Sequence, residues 1–378
     1  MLGLDPHGFI GQRIEDRFVV GQLIHARDNC PLYEALDLAT GKPVSLQMFL
    51  GPPNAEDEDR RVLLRHFVGA ASTLARVSRC NEAVVHVSHE THYAVRAGNQ
   101  AVPVAVLESL VGGSLARHLA AHYAKGGLAI GLDDTLALLD RPLQVVAAAH
   151  EHGIVHRQLA PANLWVFGER LRPGVPIKLM GHGGAPPASW FPTTAEPEVA
   201  LHHAQYAAPE QFDHDDAAVG PWTDVYAMAI ILLEVMRGGR PVVDGRASLD
   251  AARQTMHSLR RPTPRELGIA TTDAVERVFA AAVTVDRRHR FRSVRDFYQA
   301  LLEARDGRSA QWTKRAFSAS AAASGGFQAT SPREVAPPGP ATVSYHGPGA
   351  AAVLQRIRRE TSRTATVRRM APPLRRAS

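Results

Sequence analysis

An α+β architecture of two lobes, a small strand-rich lobe followed by a larger helical one, is what this sequence predicts. Three observations carry it. Residues 16–50 alternate apolar and polar side chains between turn signals, the period of a half-buried strand. From residue 115 onward apolar residues recur every three or four positions, the period of an amphipathic helix. A glycine-containing crossing, "GGS", separates the two regimes, and two lobes ordinarily hold a ligand cleft between them.

Taken in order, residues 1–15 read as an N-terminal extension. The small lobe, residues 16–107, opens with a meander, "RFVVGQLI", "PLYEALDL" and "KPVSLQMFL", whose turns fall at "ARDN" and "ATGK". "EDRRVLLRHFVGAASTLARV" has helical spacing, and "HYAVRAG" and "VPVAVLESL" read as two further strands. Residues 108–113 form the connection. The large lobe, residues 114–305, begins with the helices "LARHLAAHYA" and "DTLALLDRPLQVVAAAHEHG", and helices dominate from Tyr226 to Ala304. "VYAMAIILLEVM" is apolar on all sides but far short of the ~20 residues of a membrane span, so it reads as a buried core helix. Residues 306–378 change character: "SASAAASGG", "APPGPA" and "GPGAAA" have no sustained period. A segment so poor in large apolar residues cannot offset its ordering entropy, and a disordered tail is expected.

Charge and cysteine content narrow the function classes. The net charge of +6 comes from the tail, where twelve Lys and Arg stand against three Asp and Glu; the first 305 residues carry −3. The globular part therefore gives no electrostatic hint of nucleic acid. Cys30 and Cys80 are too few for a disulfide framework or a cysteine metal site. The start lacks a basic-then-apolar signal pattern, and a cytoplasmic protein without a transmembrane segment is expected.

"HRQLAPANL", His156 to Leu164, follows an apolar helical run and resembles the catalytic loop of the bacterial serine/threonine protein kinases, of the type related to eukaryotic kinases. His156, Arg157, Leu159, Pro161 and Asn163 match the pattern H-R-D-L-K-P-x-N. Three further segments match in the right order. "YAAPEQF" carries an Ala-Pro-Glu at Ala208, Pro209 and Glu210; "TDVYAMAIILLEVMRGGRP" resembles the helix with a buried aspartate, here Asp224; "DRRHRFRSVRDFYQAL" resembles the closing helix, with its arginine at Arg290. The likeness spans about residues 16–305 and implies a protein kinase-like bilobal fold.

The resemblance also shows what is missing. Phosphoryl transfer needs charges clamped on the phosphates and an acceptor hydroxyl held in line. His25, Arg27 and Cys30 stand where the family places three phosphate-covering glycines, and only glycine lets a backbone approach so closely. Gln47, in "VSLQ", replaces the phosphate-gripping lysine; Ala70 falls near the position of its helical glutamate partner, and no acidic residue lies between Arg60 and Asn81. Gln158 replaces the base aspartate, Ala160 the adjacent lysine, and Gly181-His182-Gly183 the metal-binding Asp-Phe-Gly. His203 stands where the family carries a threonine before "YxAPE". Asn163 remains, either as a magnesium ligand or as an amide that ties the loop backbone together. Removing one preorganised charge-stabilising group costs about 10²–10³ in rate, so no catalytic residue is expected.

The implied reading is a degenerate member, a pseudokinase, with scaffold positions His156, Arg157, Glu210, Asp224 and Arg290 in place. No cofactor is required. ATP is expected to bind weakly if at all, through main-chain groups of the connection near Glu108 and Leu110 and with loop Arg27 as a candidate contact; magnesium is not expected. His150, His152 and His156 lack the i, i+4 spacing of a zinc helix, and His202 and His203 have no recognised spacing. Thr193 and Thr194 are candidate phosphorylation sites on what is otherwise a solvated loop. The partner is expected to be a protein such as an active kinase or its substrate. The arginine-rich end, "LQRIRRETSRTATVRRMAPPLRRAS", either stays solvated or contacts an acidic protein or an anionic surface; it has no aromatic residue for base stacking, so no specific nucleic acid is indicated. The alternative is a weakly active or atypical ATP-dependent serine/threonine kinase.

Overall fold

Strands β1 (Arg13–Ile14), β2 (Phe18–His25), β3 (Leu32–Asp37), β4 (Lys42–Met48), β5 (Tyr93–Ala97) and β6 (Gln100–Glu108) form one antiparallel sheet in the order β1-β2-β3-β4-β6-β5. They come from a computed structural model that describes residues 5–25, 30–50, 57–79, 81–87, 93–97, 100–180, 204–212, 218–243, 254–255 and 261–308. The "ATGK" turn closes the β3–β4 hairpin. Asp37 organises it, accepting from Arg17 Nε (3.1 Å), Thr40 Oγ1 (2.9 Å) and the Ala39 N–H (3.0 Å). Burial pushes the Asp37 carboxyl up, but these partners outweigh it and hold it below the usual aspartate range. Alternation along β4 sends Leu46 and Met48 into the small-lobe core with Phe18, Val20, Tyr33 and Ala35. Ser45 and Gln47 point to the opposite face.

The N-terminal segment departs from the sequence expectation. Residues 5–15 are not an extension outside the small lobe: Phe9 and Ile14 are both 1% exposed and belong to its core. Asp5 accepts from Tyr33 Oη (2.9 Å) and from the Ile10 N–H (2.6 Å), pinning the segment to β3. The apolar residues of this stretch, Met1, Leu2, Leu4, Phe9, Ile10 and Ile14, keep neither a strand nor a helix period, so nothing local marks it as an element.

Helix α1 (Asp57–Ser78) follows the predicted helical spacing and buries Leu74 and Ala75. After it, residues 83–87 form an extended rung that the sequence reading left unassigned. Glu108 N donates to His86 O (2.9 Å), Val85 N to Leu179 O (3.0 Å) and Leu179 N to Ala83 O (2.9 Å), so this rung bonds one lobe on each side.

In the large lobe, β7 (Gly113–Ser114), β8 (Leu164–Val166) and β9 (Ile177–Leu179) make a small three-stranded sheet. Gly112 has φ 112°, and a Cβ there would lie 2.1 Å from Val166 O, so the crossing needs glycine for both its conformation and its closeness to β8. Ser114 caps α2 (Leu115–Ala124), accepting from Arg117 N. Helices α3 (Leu132–Glu151), α4 (Pro221–Met236), α5 (Asp273–Ala282) and α6 (Val294–Arg305) follow among the described residues, the last two capped by Thr272 and Ser293. Every residue of α4 from Thr223 to Met236 is buried, as the all-round apolar run predicts. Among the described residues no helix is long and apolar enough to cross a membrane.

Candidate functional site

Asp224, in the first turn of α4 and 1% exposed, organises the loop from His156. Its Oδ2 accepts from His156 N (2.7 Å) and lies 2.9 Å from His150 Nε2; its Oδ1 accepts from Arg157 N (2.8 Å). Burial pushes this carboxyl up, yet the hydrogen bond and charge of His150, with His156 beside it, hold it below the ordinary aspartate range. Arg157 has φ 67°, a left-handed conformation costing about 1–2 kcal/mol in a non-glycine residue. The Asp224 bond on its N–H and the bond from Gln211 Nε2 to its carbonyl (2.7 Å) keep it there.

A second buried assembly fixes the segment around Glu210. Arg290 Nη1 and Nη2 each donate to the Glu210 carboxylate at 2.7 Å, a two-pronged pair. Thr223 Oγ1 donates to the same carboxylate (2.7 Å). The remaining Arg290 donors reach the carbonyls of Thr284, Val285 and Trp222, so all five N–H groups are satisfied. His156, Arg157, Glu210, Asp224 and Arg290 are thus brought into two linked networks.

Four further positions singled out in the sequence, Gln47, Ala70, Gln158 and Ala160, are uncharged. Gln47 is half-buried in the middle of the sheet, opposite Leu32 and Ala105. Ala70 is half-buried on α1. Ala160 is buried. Gln158 N donates to His156 Nδ1 (3.3 Å), its carbonyl accepts from Asn163 Nδ2 (2.6 Å), and its Nε2 is buried without a hydrogen-bond partner. The Asn163 side-chain N–H therefore ties the loop to itself, and the Asn163 main-chain carbonyl accepts from Met180 N (2.7 Å). Among the described residues no three His, Cys, Asp or Glu side chains are grouped to hold a metal ion. Arg27, Gly181 with His182 and Gly183, Thr193, Thr194, His202, His203 and the tail from residue 309 lie outside the described residues.

At the connection, Glu108 and Leu110 are engaged by other parts of the chain. The Glu108 carboxylate accepts from Lys178 Nζ (2.8 and 2.9 Å) and from His86 N (2.8 Å). Leu110 N donates to Ser45 Oγ (3.0 Å). Ser45, Lys178 and Gln211 bond to the connection and the 156–164 loop, and the sequence did not single them out. Only Ser45 had a visible signal, a lone hydroxyl in the otherwise apolar "PVSL".

Comparison with known proteins identifies the frame. The protein kinase domain family matches residues 71–306. Serine/threonine-protein kinase PknA of Mycobacterium tuberculosis is 25% identical over 299 residues, covering 79% of this chain and 64% of PknA. Probable serine/threonine-protein kinase PknB of Lactococcus lactis is 24% identical over 288 residues, 76% of this chain and 42% of that protein. This chain therefore spans less than two thirds of the length of these relatives. In fold it is similar to a double mutant of the Mycobacterium tuberculosis PknI kinase domain, with TM-score 0.53, 20% identity and coverage of 78% of this chain and 98% of the other. It is also similar to the apo form of PpkA-294, with TM-score 0.60, 17% identity and coverage of 80% and 100%.

Proposed function

The chain belongs to the protein kinase domain family, and on that premise we propose that it is a pseudokinase, a binding module that uses the kinase frame without the phosphoryl-transfer step. The observation that carries this reading is the contrast between two sets of residues. The buried carboxylates that hold the frame, Asp224 and Glu210, keep every partner. The positions that would meet phosphates and an acceptor hydroxyl hold neutral Gln47, Gln158 and Ala160. Magnesium requires several hard oxygen ligands, usually carboxylates with phosphates, and Asn163, whose Nδ2 donates to Gln158 O, has a single amide oxygen to set against that need. This donor set does not fit magnesium-ATP.

The partner in this reading is an active kinase or its substrate, met in the cytoplasm through the activation-segment face. The arginine-rich end adds attraction to an acidic protein or anionic surface, an interaction that salt screens. The test is phosphotransfer from magnesium-ATP by the purified chain beside a Gln158→Asp/Gly181→Asp double variant. No transfer is expected from the parent, and little from the variant while residue 47 is neutral. Robust turnover by the parent overturns the reading. A thermal shift adds an independent readout, because a ligand at 100 times its Kd stabilises by about 2.7 kcal/mol.

The second reading is an atypical, weakly active ATP-dependent serine/threonine kinase. What favours it is the naming of the relatives, PknA and PknB, as serine/threonine-protein kinases. A magnesium-dependent thermal shift followed by transfer to serine or threonine is its signature.

A further inference from the structure

β6 leaves its ladder with β4 at Glu108, which stands opposite Val44, so the N–H of Leu110 has no strand to pair with. A buried main-chain donor must find an acceptor or bear the cost of desolvation. In the arrangement this chain resembles, a nucleobase supplies it. Here the acceptor is built in. Ser45 lies on the face of β4 it shares with Gln47, and its Oγ meets Leu110 N at 3.0 Å. Ser45 is 1% exposed and Leu110 3%, so solvent does not reach the pair.

We propose that Ser45 is an internal stand-in for a nucleobase: its hydroxyl holds the Leu110 N–H, and an adenine-like heterocycle binds this cleft only by displacing it. The large lobe braces the same connection from the other side, since Lys178 and the 83–87 rung hold both the carboxylate and the N–H of Glu108. An entering base therefore gains one hydrogen bond by breaking another. A serine makes the lock weak enough to be removed by one substitution. The inference deepens the pseudokinase reading and rests on it for its meaning, because a cleft that refuses adenine serves a binding module and not a kinase.

The experiment uses the full chain and adenosine, which carries neither phosphate nor any need for metal. Ser45→Ala deletes the acceptor and leaves room beside Leu110. Calorimetric titration is expected to show adenosine binding at least about tenfold tighter to Ser45→Ala than to the parent, a ratio worth about 1.4 kcal/mol. In the ligand-free parent, hydrogen exchange at the Leu110 amide is expected to be slow. Equal adenosine affinities overturn the proposal. So does a Leu110 amide that exchanges in the parent as fast as an exposed one, a readout that needs no variant to fold. Phosphotransfer measured on the same samples separates the two ideas. Turnover by the parent ends the pseudokinase reading, whereas the affinity ratio and the Leu110 exchange judge Ser45.

Discussion

Glu234, on α4, is a buried acid that the frame does not need charged. The Tyr206 hydroxyl donates to its Oε2 at 2.6 Å, and Arg237 is the nearby positive group. Burial nevertheless dominates and pushes its carboxyl from the ordinary 4.5 up to about 6. The sign follows from proton counting. Between those two values the folded chain holds more protons than the unfolded one, so stability falls as pH rises through the window. The loss amounts to about 2 kcal/mol and is complete above the folded value. Glu234→Gln keeps an acceptor for Tyr206 and removes the charge. Its denaturation free energy at pH 7.5 is expected to exceed the parent's by about 1–2 kcal/mol, with the gap closing below pH 4.5. A variant with the parent's pH slope would refute this. Asp224 has the opposite sign: its depressed carboxyl contributes stability above the ordinary 3.8, lost as pH falls through its folded value.

At the scale of elements, the small lobe depends on a segment that lies before its first recognisable strand. Phe9 packs edge-on against Tyr33, with ring centroids 5.8 Å apart, and closes one side of the core over β2 and β3. Truncating a buried phenylalanine removes its transfer free energy and leaves a cavity. Phe9→Ala is expected to cost about 3–5 kcal/mol in chemical denaturation. A change within 0.5 kcal/mol would show that residues 5–15 are dispensable to the lobe. The Glu210–Arg290 pair makes a parallel demand in the large lobe. Arg290→Ala leaves a buried carboxylate with Thr223 as its one remaining side-chain partner among the described residues, and the expected cost is about 3–5 kcal/mol by the same measurement.

Across the whole molecule, the main core runs through both lobes. Leu32, Leu74 and Leu107 belong to the same buried cluster as Leu115, Leu164 and Ile230. The rung at residues 83–87 and the Lys178–Glu108 ion pair add polar ties over the same boundary. A shared core predicts shared cooperativity: calorimetry, far-UV circular dichroism and tryptophan fluorescence are expected to report one coincident transition. Lys178→Met is expected to lower that transition as a unit, by about 2–4 °C for each kcal/mol lost. Two separated transitions would show that the lobes fold independently.

How much of this was legible beforehand varied by residue. Asp224, Glu210 and Arg290 were visible because motif spacing marks them. Their mutual contacts were visible only through resemblance, since 80 residues of chain separate Glu210 from Arg290. Strands β2 to β4 and helices α1 to α3 followed from periodicity, which is a local property. β8 and β9, three residues each, are too short to show a period. The N-terminal segment, the 83–87 rung, Lys178 and Gln211 take their roles from partners remote in the chain, and no local pattern announces them.

The amino-acid order by itself determined that positions 47, 158 and 160 are uncharged and that Asp224, Glu210 and Arg290 are present, because side-chain chemistry is written residue by residue. Tertiary structure alone decided that Ser45 reaches Leu110, 65 residues away, and that Lys178 anchors Glu108. A hydrogen bond between distant residues exists only once folding has brought donor and acceptor within reach.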